Sequence, residues 1–213
     1  NSNILYLSGS SGVYKTTNAG ATWTTTNSGA NANCVLLNPS NPQILYTTTG
    51  GSGGNTTKKS TDGGATWAVS GAGLPGSSTA GRTQLAMAPS NPNVLYASMA
   101  NGGTNGLLGL YRSTDGGSSW TLQSSSPNYL GGQGWYDNAV CVHPTNPDIV
   151  VVGGLDIYTS TNGGMTLVQR TAWATTSSSN MSHADIHWLG YNNGILYCGS
   201  DGGVYQSTND GVA

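Results

Sequence analysis

The sequence predicts an all-β fold, a β-propeller of four-stranded antiparallel blades, seen as an arc of about five blades of a larger propeller. Three observations carry this expectation. An octet returns five times: TTNAGATW at 16–23, STDGGATW at 60–67, STDGGSSW at 113–120, STNGGMTL at 160–167 and the shortened STNDG at 207–211. A second phrase precedes it at similar spacing: NPSNPQILY at 38–46, APSNPNVLY at 88–96, HPTNPDIVV at 143–151 and the degenerate YNNGILY at 191–197. The octets begin 44, 53, 47 and 47 residues apart, the period of a four-stranded unit that cannot cover both of its faces alone.

Within each repeat a short apolar run (CVLL, LAMA, AVCV, IHWL) forms the first strand and meets the Pro/Asn turn. A β-branched and aromatic run follows as the second strand, then a Gly-rich turn, a third strand, and the octet as the hairpin into a fourth. In the octet a Ser or Thr and an Asp or Asn bond nearby backbone, Gly supplies a positive φ, and the Trp is expected to plug the space between sheets. Asp62, Trp67, Asp115, Trp120, Trp23 and Asn162 are therefore read as structural. The repeats divide the chain into a partial blade over 1–30, repeats over about 31–78, 79–128 and 129–175, and a partial blade over 176–213. The first offers strands two to four and the last offers strands one to three, so the two do not complement each other. The rest of the propeller is accordingly an expected partner.

Composition narrows the functional classes. Of 213 residues 33 are Gly, charged residues make up 7%, and the net charge is −2, so there is no basic field for nucleic acid. No apolar run approaches the roughly 18 residues of a membrane helix, and Asn1 opens the chain without a charged-then-apolar segment, as in an already processed secreted piece. Glu is absent, so carboxylate chemistry falls to Asp. Cys34, Cys141 and Cys198 are odd in number and flanked by apolar residues, which suits buried thiols. Asn55-Thr56-Thr57 and Asn180-Met181-Ser182 match a glycosylation pattern that arises easily in so Ser/Thr-rich a chain. Lys58 and Lys59 read as a solvated strand end.

Candidate chemistry gathers on the face shared by the loops into first strands and the turns between second and third strands. GGQGWYDNAV at 131–140 brings Trp135, Tyr136 and Asp137 there, SHADIHW at 182–188 brings His183, Asp185, His187 and Trp188, and GSDGGVY at 199–205 brings Asp201. Arg82 occupies the matching position one blade before Asp137. On an extended strand His183, Asp185 and His187 would share a side and could hold a divalent metal, with Asp137 or Asp201 adding an oxygen; alternatively the histidines bond backbone along a polar wall. Asp137 with Asp185 or Asp201 could instead supply the acid and base of an inverting glycosidase, about 6.5–9.5 Å apart. Trp135, Tyr136, Trp173 and Trp188 suit stacking on sugar rings, or else fill space between sheets while Asp137 caps its loop.

The octets resemble the Asp-box (bacterial neuraminidase repeat, sortilin-like) superfamily, whose pattern S-x-D-x-G-x-x-W is met in full at 60–67 and 113–120. The resemblance implies that the boxes lie away from the functional face. Sialidase chemistry is disfavoured, because Arg82, Arg112 and Arg170 do not form the expected arginine triad and Glu is missing. Glycoside hydrolase family 74 also carries such repeats and works with two Asp. GQGWYDNAVCVHPTNPDIVVVGG, HADIHW and GSDGGVYQSTNDG look like large secreted Bacteroidota proteins exported by type IX secretion, implying a shared site at Asp137, His183, Asp185 and His187. The leading expectation is an extracellular or cell-surface, non-catalytic module that binds a glycan or protein through Arg82, Trp135, Tyr136 and Trp188. The alternatives are an Asp-dependent polysaccharide hydrolase and a structural or adhesive element.

Overall fold

The computed structural model describes residues 3–28, 31–50, 56–76, 78–175 and 180–211; Asn55 lies outside them. Among the described residues the chain forms strands and turns without a helix. The first sheet pairs β1 (Leu5–Gly9), β2 (Gly12–Thr16) and β3 (Thr24–Ser28). The second contains β4 (Asn31–Leu37), β5 (Leu45–Gly50), β6 (Thr56–Ser60) and β7 (Ala68–Val69), and the third β8 (Ala80–Ala88), β9 (Asn91–Asn101), β10 (Leu107–Ser113) and β11 (Thr121–Ser124). The fourth contains β12 (Ala139–Val142), β13 (Val150–Gly153), β14 (Ile157–Ser160) and β15 (Val168–Gln169), and the fifth β16 (Ile186–Asn192), β17 (Ile195–Ser200) and β18 (Gly203–Ser207). Every sheet is an antiparallel meander, strand following strand in chain order. Successive sheets meet through β1 and β4, β4 and β8, β8 and β12, and β12 and β16.

Alternation along the strands explains the stacking. In β13 Val150 and Val152 face the third sheet, in a cluster with Tyr96, Leu110 and Leu130, while Val151 faces the fifth, beside Ile186 and Leu196. In β9 the even residues Val94, Tyr96 and Ala100 join the cluster with the fourth sheet, and the odd residues Leu95, Ala97 and Met99 join that with the second. A strand that is apolar on both sides needs a neighbour on each, and the flanking sheets supply them.

The octet hairpins sit between third and fourth strands. Ser60 Oγ donates to Asp62 Oδ1 at 2.8 Å and accepts from the Gly64 amide at 2.8 Å, while Asp62 accepts from the Thr66 amide at 2.9 Å and its hydroxyl at 2.6 Å. The Thr66 hydroxyl, with these other donors, holds the Asp62 carboxyl down to about 2. Ser113 and Asp115 repeat the pattern, and Asn162 substitutes for the carboxylate with the same amide contact from Thr166 at 2.9 Å. The residue after Asp62 takes φ 69° as Gly63; in the first octet Ala19 must adopt φ 58° at the same point. Packing of the octet Trp varies: Trp120 is 5% exposed, as expected, whereas Trp23 is 40% exposed at the first sheet, a correction to its reading as a plug.

A contact absent from the sequence reading joins one blade to the next. Tyr46 on β5 and Lys59 on β6 both donate to the Gly116 carbonyl of the following octet at 2.8 Å, with the Lys59 ammonium 5.3 Å from the Tyr46 ring centre. Tyr6 and Lys15 grip the Gly63 carbonyl in the same way, each at 2.8 Å. Tyr96 reaches the Pro147 carbonyl at 2.8 Å, and Arg112 pairs with Asp148. Lys59 is thus an inter-sheet tether, contrary to its reading as a solvated strand end. Cys34 is half-buried, Cys141 and Cys198 are buried, and all three thiols are free.

Burial pushes the Tyr46 phenol up to about 12, so it remains a donor throughout the neutral range. Tyr46→Phe removes one hydrogen bond while Lys59 still satisfies Gly116, and should cost about 1 kcal/mol, against roughly 3–5 kcal/mol for Tyr46→Ala, which also opens a cavity. Urea unfolding of the two variants checks the difference. Ala19→Gly relieves the left-handed strain and should raise stability by up to about 1 kcal/mol in the same assay.

Candidate functional site

The loop from β11 to β12 packs inward through Tyr129 and Leu130, which are 1% and 0% exposed, and then turns outward. The Gln133 carbonyl accepts the amides of Tyr136 at 2.6 Å and Asp137 at 3.0 Å, a single tight turn that lifts Trp135 to the surface with 62% of it exposed. Arg82, on β8 of the third sheet, reaches across, and its Nη1 donates to the Trp135 carbonyl at 3.2 Å and to the Tyr136 carbonyl. Beneath, buried Asn138 donates to the Ser98 carbonyl at 3.1 Å and the Arg82 carbonyl at 3.3 Å, and accepts from Ser98 Oγ at 2.6 Å. The loop is thereby pinned to the sheet before it.

The fifth sheet supplies the other side. Asp201, in the turn from β17 to β18, accepts the Tyr136 hydroxyl at 3.2 Å on both oxygens and contacts His187 Nε2 at 2.7 Å. The His187 ring stands edge-on to Tyr136 with centres 4.7 Å apart, and the Trp135 and Tyr136 ring centres are 5.4 Å apart. The His187 contact, then the Tyr136 hydroxyl, hold Asp201 below the usual carboxylate range, while Asp201 raises the Tyr136 phenol. Gln133 Nε2 donates to Asp185 Oδ1 at 3.2 Å.

Asp137 lies under this surface with 0% exposure and neither carboxylate oxygen meets a donor. Its neighbour is the Asp185 carboxylate, near enough for the two charges to act on each other. Burial first, and the Asp185 charge second, push Asp137 up to about 7, with the Arg82 charge opposing. Burial in turn lowers the Arg82 guanidinium from its usual value.

The structure thus gathers Arg82, Trp135, Tyr136, Asp137, Asp185, His187 and Asp201, and alters several expectations. The 183–187 segment is not extended: β16 begins at Ile186 and Asp185 takes φ 64°, so the alternation that would align His183, Asp185 and His187 is broken. His183 is exposed with Nδ1 3.1 Å from the Ala184 carbonyl, and its Cβ lies 2.3 Å from where a Cβ on Gly202 would stand. Among the described residues no group of three or more His, Cys, Asp or Glu could hold a metal ion, so the metal expectation for that triad is withdrawn. Asp137 does not cap its loop through its side chain. Trp188 is 57% exposed, but its ring lies over Gly190, 2.5 Å from where a Cβ there would stand. Trp173 is 46% exposed, so neither it nor Trp135 fills space between sheets. Gln133 and Asn138 were missed; they lie in the GQGWYDN phrase, yet no spacing distinguishes them from ordinary loop residues. Asp156 was missed too: 8% exposed, it accepts from Thr171 at 3.0 Å, the Trp173 amide at 2.8 Å and Gln169 at 3.1 Å, tying β15 to the turn before β14.

Comparison with known proteins settles the architecture. A GH74 enzyme from Niastella koreensis superposes with a TM-score of 0.72 at 22% identity, over 99% of this chain and 35% of its own. The fold is that of a β-propeller. The GH74 xyloglucanase from Xanthomonas campestris matches with a TM-score of 0.69 at 16% identity, over 98% of this chain and 35% of the enzyme. An extracellular domain of a two component system from B. thetaiotaomicron matches with a TM-score of 0.66 at 11% identity, over 96% of this chain and 26% of that one. This chain therefore spans about a third of the length of the GH74 enzymes. No family model matches the sequence, and no curated protein matches it.

The buried acid pair makes a signed prediction. Between the unfolded carboxyl value near 4 and about 7, folded Asp137 keeps a proton that the unfolded chain has lost, so its contribution to stability falls as pH rises through that window and levels off above it. Unfolding free energies from pH 4 to 8 should show this fall in the parent, on the order of 2–4 kcal/mol, and Asp137→Asn should flatten it.

Proposed function

We propose that the chain is an extracellular binding module whose loop face takes a glycan against Trp135 and Tyr136. One observation carries the reading: two adjacent aromatic rings stand at the surface, Trp135 62% exposed, on a backbone fixed by Arg82 and with Tyr136 held by Asp201. Rigid, exposed aromatic faces stack on the C–H faces of pyranose rings with little ordering cost. The surrounding hydroxyl, carboxylate and amide groups can meet sugar hydroxyls. Arg82 acts here by shaping the platform. The octets support membership of the Asp-box superfamily, with boxes remote from this face, and the likeness to an extracellular domain and to GH74 enzymes agrees with an exported protein.

A second reading, polysaccharide hydrolysis, is favoured by the TM-score of 0.72 with a GH74 enzyme. Against it, Asp137 is shut from solvent and Asp201 is committed to His187 and Tyr136, so neither is a free proton donor beside a bound sugar.

Titration with a panel of soluble polysaccharides should show saturable binding that Trp135→Ala weakens at least about tenfold, the loss of one stacked ring. Reducing ends should not accumulate. Sugar release by the parent protein that Asp137→Asn abolishes would replace the binding reading with the hydrolytic one.

A further inference from the structure

We propose that this face takes single, twisted polysaccharide chains from solution and discriminates against the flat faces of crystalline ones. The inference rests on the glycan reading above and adds the physical state of the ligand.

The two rings that carry that reading are not coplanar. Trp135 and Tyr136 are tilted by 41° with centres 5.4 Å apart, and they are 62% and 37% exposed. Their spacing is comparable to the advance of one pyranose unit along an extended chain, so consecutive sugars can meet consecutive rings. Stacking needs the C–H face of a sugar against the face of a ring, so two sugars that use both rings must themselves be inclined to each other. Rotation about the glycosidic bond gives a free chain that inclination. On a crystal face the sugars lie in one plane with their torsions locked by the lattice, so a face that lies flat on one ring meets the other at an angle.

The tilt is built in on the Tyr136 side. Its hydroxyl donates to both oxygens of Asp201 at 3.2 Å, and the His187 ring stands edge-on to it at 82° with centres 4.7 Å apart. The first contact opposes swinging of the Tyr136 ring, and the second opposes its turning about its own axis. His187 also holds Asp201 through Nε2 at 2.7 Å, so it braces the platform twice. Behind the rings the Gln133 carbonyl accepts the Tyr136 and Asp137 amides, and Arg82 donates to the Trp135 and Tyr136 carbonyls, which fixes the backbone from which both rings project. Levelling Tyr136 would break the Asp201 contact or displace His187, a cost that a planar ligand would have to offset.

The experiment takes β-1,4-glucan, chitin and mannan, each as a soluble hexamer and as crystalline particles. Calorimetry with the hexamers and depletion of the protein by the particles give the affinities. At least one hexamer should bind saturably, and the crystalline form of the same sugar should hold the protein at least about tenfold more weakly, the loss of one stacked ring. Tyr136→Ala should weaken binding of that hexamer about as much as Trp135→Ala does, because both rings are used, and thermal midpoints report whether the variants fold. The comparison of hexamer with particle needs no variant and decides alone where one fails to fold. A crystalline form held as tightly as its hexamer, or a folded Tyr136→Ala protein that binds the hexamer as the parent does, overturns the inference and leaves the glycan reading standing. Silence of every hexamer and every particle overturns both.

Discussion

A sheet apolar on both faces has to be walled on both, and this requirement organises the molecule. In β9 and β13 odd and even residues enter different clusters, so each middle sheet serves as the inner wall of two cores. Among the described residues no sheet holds a core of its own. The layers between sheets are the core, and each sheet's orientation is fixed by the neighbours it seals.

The loop face inherits its precision from that layering. Arg82 belongs to the third sheet, Trp135 and Tyr136 to the entry of the fourth, and His187 and Asp201 to the fifth, yet they meet in one hydrogen-bonded chain. Their elements are held apart by packed side chains, so the distances among them follow from the stacking of sheets more than from the loops. Asn138 and Ser98 extend the connection downward into the third sheet. The acid pair Asp137 and Asp185 is strained in charge and, at Asp185, in backbone.

Much of the fold was legible because its signals are local and repeated. The Ser–Asp–Gly–Trp octet states its own hairpin, and the Pro/Asn phrase states the preceding turn. The gathering of Trp135, Tyr136, Asp137, Asp185 and Asp201 was legible as well, since loop position in a repeat implies a face. What remained hidden depends on contacts between repeats or on single dihedral angles. Nothing near Tyr46 or Lys59 announces the Gly116 carbonyl some 60 or 70 residues on. The left-handed φ of Asp185, which dissolves the proposed metal triad, belongs to a residue type that adopts it only in a minority of cases. Arg82 looked like a ligand contact because an arginine in a loop cluster usually points outward, whereas here two orphan carbonyls claim it.

The Tyr-and-cation grip on the next octet has a directional character. Its donors always come from one blade and its acceptor from the one that follows, as when Tyr6 and Lys15 take Gly63, and Tyr46 and Lys59 take Gly116. Such a head-to-tail joint is indifferent to how many units precede or follow it. The first three blades, joined in this way, are interchangeable parts: a duplicated second unit would find the same fitting at either side, whereas the third meets the fourth through Tyr96 on Pro147 and Arg112 on Asp148.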